Sequence, residues 1–274
     1  MRKYFQFICL VAFSLASIST PAHAGAWTQK SGEGQVITSF SYYETDAAYN
    51  AKSDRVSKTS SYHKSTLDVF AEYGLTDAYT LGLQTSYQWI YARNNLGSFR
   101  ENDLSDTSFF LRERIWHDDF NVLSLQQLFT VPGPYSTRNA AAPGYGQSDA
   151  EFRVLYGHSG VIGGNNYFLD IQGAYRKRFE GPADEVRMDI TAGIKPNENF
   201  MLLAQSFNTL GMRNESTAAV ITSSGPDYDL SKIQISGVLA TSYDLSLQLG
   251  GAIDVAGRNT GAGKTLFVAL WKEF

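Results

Sequence analysis

Several stretches of this chain alternate apolar and polar residues over roughly ten or more positions, and no other feature restricts its fold as tightly. In AYTLGLQTSYQWIY, Tyr79, Leu81, Leu83, Thr85, Tyr87, Trp89 and Tyr91 share one face, and Thr80, Gly82, Gln84, Ser86 and Gln88 share the other. In DLSLQLGGAIDVAG, Leu245, Leu247, Leu249, Ile253 and Val255 oppose Ser246, Gln248, Gly250, Ala252 and Asp254. EVRMDITAGIK sets Val186, Met188, Ile190, Ala192 and Ile194 against the charged face Arg187, Asp189 and Lys195. A period of two is the signature of a β-strand whose faces meet different surroundings.

The lengths of these segments separate two all-β solutions. Strands of about 10 to 14 residues match a tilted membrane crossing and exceed the five or six usual in a globular sheet. The connections alternate as well: short at 74–77, 117–120, 195–200 and 241–244, long around 45–61, 93–104, 133–149 and 213–227. Short turns on one side and long loops on the other are what a transmembrane barrel requires. Aromatics at strand ends (Tyr42 and Tyr43, Trp89 and Tyr91, Trp271 and Phe274) fit girdles at the two membrane surfaces.

Strands are expected near 34–44, 62–73, 79–92, 105–117, 120–132, 150–160, 166–179, 184–195, 199–212, 228–240, 244–256 and 264–274. The fold class is thus an all-β, antiparallel transmembrane barrel of about twelve strands, with ten or fourteen open because strands 1, 6 and 9 alternate poorly. An even count puts both termini in the periplasm, and pairing the first strand with the last removes every exposed edge.

The front end supports export. Arg2 and Lys3 precede an apolar run that finishes in Ala22-His23-Ala24, the layout of a secretory signal cleaved after residue 24. The expected organisation is a signal at 1–24, a periplasmic N-terminal segment at 25–33 and the barrel at 34–274. The one cysteine, Cys9, falls inside the signal, so the mature chain is expected to hold no thiol chemistry. Losing Arg2 and Lys3 moves the net charge from -4 by two, to about -6, which argues against nucleic acid as a partner.

Three motifs invite a chemical reading. The string GAGKT at 261–265 lacks the first glycine of a phosphate loop, a position held by Arg258, and a strand-like segment follows it, so it reads as the end of the last external loop. Gly157-His158-Ser159-Gly160 resembles a nucleophile elbow, but Val161 stands where the last glycine belongs, and the string is expected in a periplasmic turn. His63-Lys64-Ser65 has the His-x-Ser spacing of outer-membrane lipid hydrolases, with Asn94 or Asn95 as a third group, but lacks the further Asn and Gly residues that surround such pairs. No metal-ligand spacing is present, and no cofactor is expected.

The inward parity carries Asp68, Glu72, Asp106, Arg112, Arg114, Glu151, Arg153, Asp170, Arg176, Arg178, Arg187, Asp189, Lys195, Lys232 and Asp254. So many charges require a wet or cross-paired interior. Arg153, Arg176, Arg178 and Arg187 fall near the external rim of neighbouring strands, where they form either a basic mouth or a set neutralised by Glu151 and Asp189. The hairpin register decides whether Arg176 faces Arg187 or Asp189.

Two resemblances follow. The last strand, TLFVALWKEF, ends in Phe274 on the lipid-facing parity of Leu266, Val268 and Leu270, and so resembles the C-terminal strand of bacterial outer-membrane barrels. That resemblance implies recognition by the barrel-assembly machinery and a location in the outer membrane, against lipid and lipopolysaccharide. AEYGLTDAYTLGLQTSY (71–87), DTSFFLRERIW (106–116) and LSLQQLFTVPGPYS (123–136), with Tyr73, Gly74, Leu75, Asp77, Pro132 and Gly133, resemble channel barrels associated with phenol and other aromatic degradation. This implies passive passage of small solutes, aromatic or anionic, without an enzymatic step. A closed barrel whose external loops bind a ligand or glycolipid, and a surface lipid hydrolase, are the alternatives.

Overall fold

The computed structural model describes residues 25–94, 97–138, 141–214, 226–241 and 244–274; the expected signal at 1–24 lies outside them. Fourteen strands follow one another: β1 (Gly34–Tyr49), β2 (Arg55–Thr76), β3 (Tyr79–Asn94), β4 (Gly97–Leu104), β5 (Thr107–His117), β6 (Asn121–Val131), β7 (Asp149–Ile162), β8 (Asn165–Arg178), β9 (Glu185–Asn197), β10 (Phe200–Gly211), β11 (Asp229–Ala240), β12 (Leu245–Arg258), β13 (Thr260–Gly261) and β14 (Lys264–Glu273). β4 and β5 both pair with β3, at its upper and lower halves, and form one stave interrupted at Ser105–Asp106. β13 and β14 likewise share β1. The result is a twelve-stave antiparallel barrel.

Closure comes from β1, which pairs with β2 on one side and β14 on the other. The chain end completes the seam: Gly34 N–H donates to the Phe274 carbonyl at 2.8 Å, and Phe274 N–H donates to the Gly34 carbonyl at 3.0 Å. Among the described residues the twelve staves form a closed ring with no open edge, and β4, which pairs only with β3, extends beyond it. The tight turns lie at the end that holds both termini. Gly163 and Gly164 adopt φ of 57° and 83°, which a two-residue hairpin needs and which L side chains resist. At 118–120, Asp118 accepts the backbone N–H of Phe120 and of Asn121, and these bonds with the Asn121 side chain hold its carboxyl below the usual range.

Alternation sorts the side chains as expected. Leu81, Phe109, Phe152, Met188, Ile235, Leu249 and Leu266 all point outward and stand exposed, Leu266 at 71%. A belt of this extent is what a bilayer, rather than water, solvates.

Several expectations are corrected. The regions 45–61 and 93–104 are not loops: β1 and β2 continue to a turn at 50–54, and β3 and β4 form a hairpin, so two ribbons extend the wall outward. The expected external loops at 133–149 and 213–227 do fall between strands, 215–225 of the latter lying outside the described residues. Gly157–Gly160 sits within β7, not in a turn. GAGK belongs to the wall: the chain turns at Asn259 (φ 52°), and Gly263 N–H donates to Asp254 at 3.0 Å. Tyr43 and Trp271 face inward, where Tyr43 bonds Asp254 and Trp271 bonds Gln248, so they are not girdle residues. Residues 25–31, expected in the periplasm, lie largely inside the barrel; Ala26 is 0% exposed.

Candidate functional site

The lumen holds two built regions, one at each end. At the periplasmic end, the N-terminal segment leaves β2, where Gly32 N–H donates to the Gly74 carbonyl at 2.9 Å, and crosses to β8, where Ala26 N–H donates to Asp170 at 2.6 Å. These strands are the second and seventh staves of twelve, so the segment spans nearly the full diameter. Every wall it passes supplies a partner. Gln29 donates from Nε2 to Glu72 at 2.6 Å and from its backbone to Thr80 at 2.8 Å. Arg112 donates to the Trp27 carbonyl at 2.8 Å and to Glu72 at 3.3 Å, and Ser124 donates to the Ala26 carbonyl at 2.5 Å.

Apolar contacts seat the same segment. The Trp27 ring stands edge-on to Phe168 at 5.9 Å between centroids. Around it lie Met201, Leu203, Val238, Ala269 and Trp271, all inward-facing. Gly157 makes room: a Cβ there would lie 2.7 Å from both Trp27 and Val122. The barrel thus has an apolar core in its lower lumen that the N-terminal segment completes.

The external end is a charge network. Arg153 pairs with Glu151 at 2.8 Å and Asp189 at 2.5 Å, and Arg176 pairs with Glu151 at 2.9 Å. Arg178 reaches Glu185 at 3.1 Å and Asp149 at 3.6 Å, and Arg187 reaches Glu185 at 2.7 Å. The four arginines therefore do gather on neighbouring strands, but they meet Asp149, Glu151, Glu185 and Asp189. Arg176 faces Glu185 in the register, Arg187 faces Ala174, and Asp189 faces Gln172, so neither pairing considered from the sequence occurs. Asp149 and Glu185 were missed in the sequence, although Glu185 shares the parity of Arg187.

Described residues of the connection between β6 and β7, Tyr145 and Gln147 among them, lie against this network. Tyr135 donates its hydroxyl to Asp106 at 2.5 Å and accepts Gly146 N–H at 2.9 Å, while the Arg178 guanidinium lies 4.5 Å from the centre of the Tyr145 ring. In the 179–184 connection, burial alone would raise the Asp184 carboxyl. Hydrogen bonds from the Arg178 backbone, Asn214, Lys177 and Tyr175 outweigh it and hold that carboxyl well below the ordinary range.

Between the two ends, Tyr43, Lys232 and Asp254 group on one wall, and Asp68 lies inward on β2 opposite Ser39. Arg114 lies beside the bulge near the periplasmic end of β5. The ends are also connected: Gln172 donates to Asp170 at 2.5 Å and accepts from Arg153 at 2.5 Å, which joins the N-terminal segment to the mouth network through one side chain.

The histidine motifs are wall features. His63 is stacked between Tyr42 and Tyr91 on the outer surface, and Tyr42 hydroxyl meets its Nδ1 at 2.9 Å. His158 contacts Asn121 and Tyr167. Among the described residues, no group of three or more His, Cys, Asp or Glu side chains could hold a metal ion.

Fold and belt together define an outer-membrane β-barrel whose lower lumen is crossed by the N-terminal segment. Comparison with solved structures gives the same class. An outer-membrane channel from Pseudomonas putida F1 superposes with a TM-score of 0.73 over 93% of this chain and 99% of that one, at 14% identity. The NanC porin follows at 0.52, over 86% and 98% with 9% identity, and the β domain of the Bordetella autotransporter BrkA at 0.51, over 89% and 100% with 11% identity. No protein-family model and no curated protein sequence matches the chain.

Proposed function

We propose that this barrel resides in the outer membrane, among lipid and lipopolysaccharide, and passes small, weakly polar solutes when the N-terminal segment leaves its seat. The observation that carries the reading is the chemistry of the lumen. Between its filled ends the wall bears Asp68, Lys232, Asp254, Gln205 and Gln234, a polar lining that a purely structural core would not need. The channel nature of the Pseudomonas protein, whose fold this chain shares, supports it further.

Weakly polar solutes fit better than anions. Each mouth arginine already meets a carboxylate, so no uncompensated basic patch concentrates anions. Tyr135 and Tyr145 add aromatic surface at the same place, in keeping with the aromatic compounds that the sequence resemblance implies. A second reading, a closed barrel that binds through its external loops, is favoured by the seated segment itself. Planar-bilayer recording decides between them. Conductance by the intact protein, or by a variant lacking residues 25–31, supports passage; silence from both, with each protein folded, supports the closed barrel.

A further inference from the structure

Seven carboxylates are buried among the described residues: Glu72, Asp149, Glu151, Asp170, Asp184, Glu185 and Asp227. Six of them have an arginine or lysine within ion-pair distance. Asp170, the most buried at 1% exposure, has none; its described partners are Ala26 N–H and the Gln172 amide. The nearby arginines are directed elsewhere, Arg112 to Gln126, Trp27 and Glu72, and Arg153 to Glu151, Gln172 and Asp189. A buried carboxylate without a cation is costly, so this site favours a positive group beside it.

The backbone of residue 25 lies against that carboxylate. A Cβ at Gly25 would collide with both Asp170 oxygens, so only glycine fits. Residue 25 is also the first residue after the Ala22-His23-Ala24 cleavage pattern. Hydrolysis of the Ala24–Gly25 amide by a signal-processing protease adds one water, leaves a carboxylate on Ala24 and frees an amino group on Gly25. That amine takes up a proton near neutral pH.

We propose that the α-ammonium group of Gly25, created by signal removal, is the cation that Asp170 lacks, and that Asp170 is a binding site for the mature N-terminus. The ion pair strengthens the seating of the N-terminal segment once the signal is removed, because the uncleaved chain carries a neutral amide at that point. The pair requires residue 25 to be both glycine and terminal.

Hydrogen exchange read by mass spectrometry tests this without reference to solute passage. Two chains are refolded in detergent, one starting at Gly25 and one carrying a Gly-Ser dipeptide ahead of it, together with Asp170→Asn in the first. The backbone amides of residues 26–29 should exchange at least about tenfold faster in the extended chain and in Asp170→Asn than in the Gly25 chain, with the wall strands unchanged. N-terminal sequencing of the exported protein should begin at Gly25. Equal protection in the extended and Gly25 chains would overturn the proposal, as would a mature start elsewhere. Should Asp170→Asn fail to fold, the extended chain, which keeps every side chain, decides alone.

Discussion

At the scale of the residue, position decides what each polar or small side chain does. Gly157 is required by a ring and not by a turn: replacing it with Ala places a methyl 2.7 Å from Trp27 and Val122. Overpacking of this kind should cost about 1 to 3 kcal/mol, read as a lower denaturant midpoint. Asp184 acts through its charge. Its carboxyl titrates below the unfolded value, so its contribution to stability is complete above the unfolded pKa and lost as pH falls through the folded one. Asp184→Asn should therefore lower the unfolding midpoint at pH 7, and the gap to the unaltered protein should narrow as pH drops below about 4. A gap that stays constant with pH would show that hydrogen-bond geometry alone anchors the 179–184 connection.

At the scale of the element, each strand faces two solvents, and neighbouring positions answer differently to the same change. Leu83 lies on the lipid side of β3 and Gln84 on the lumen side, where it stays exposed. Leu83→Arg should cost about 2 to 4 kcal/mol if it sits near the midplane, and Gln84→Arg much less, measured by reversible unfolding in detergent or vesicles. Equal costs would place the strand one residue out of register. The analogous comparison on β12 is unsuitable, because Gln248 is buried and bonds both Ser236 and Trp271. There the lumen side is a packed interior. Gln248 lies beside the apolar layer that surrounds Trp27, through its bond to Trp271, whereas Gln84 stays exposed.

At the scale of the molecule, closing the barrel and crossing its lumen are separate achievements. Closure rests on the β1–β14 seam, whose last two hydrogen bonds join Gly34 and Phe274. Deleting Phe274 removes both, along with the terminal aromatic, and should reduce outer-membrane insertion while leaving export unchanged. Unaltered surface levels would show that the terminus contributes to neither closure nor assembly. The lumen holds the N-terminal segment below and the charge network above. Gln172 joins Asp170, which holds the segment, to Arg153 of the mouth, so the two ends share one hydrogen-bonded chain.

The sequence by itself determined most of the strands and their faces, the closing seam and most of the inward charges, Asp149 and Glu185 excepted, because a period of two is a local property of extended backbone in two solvents. It also brought Arg153, Arg176, Arg178 and Arg187 to one rim. What they meet there was decided by the tertiary structure, since a register shift of one residue exchanges every partner across a hairpin. The extensions at 45–61 and 93–104 were read as loops because they do not keep the apolar–polar alternation of the wall strands. The crossing of residues 25–31 was not legible at all: it has no period, and each of its partners, Glu72, Thr80, Arg112, Ser124 and Asp170, is supplied by a different strand. Only closing the barrel brings those five to one plane, which is why the fold was written in the order of residues and the occupant of its lumen was not.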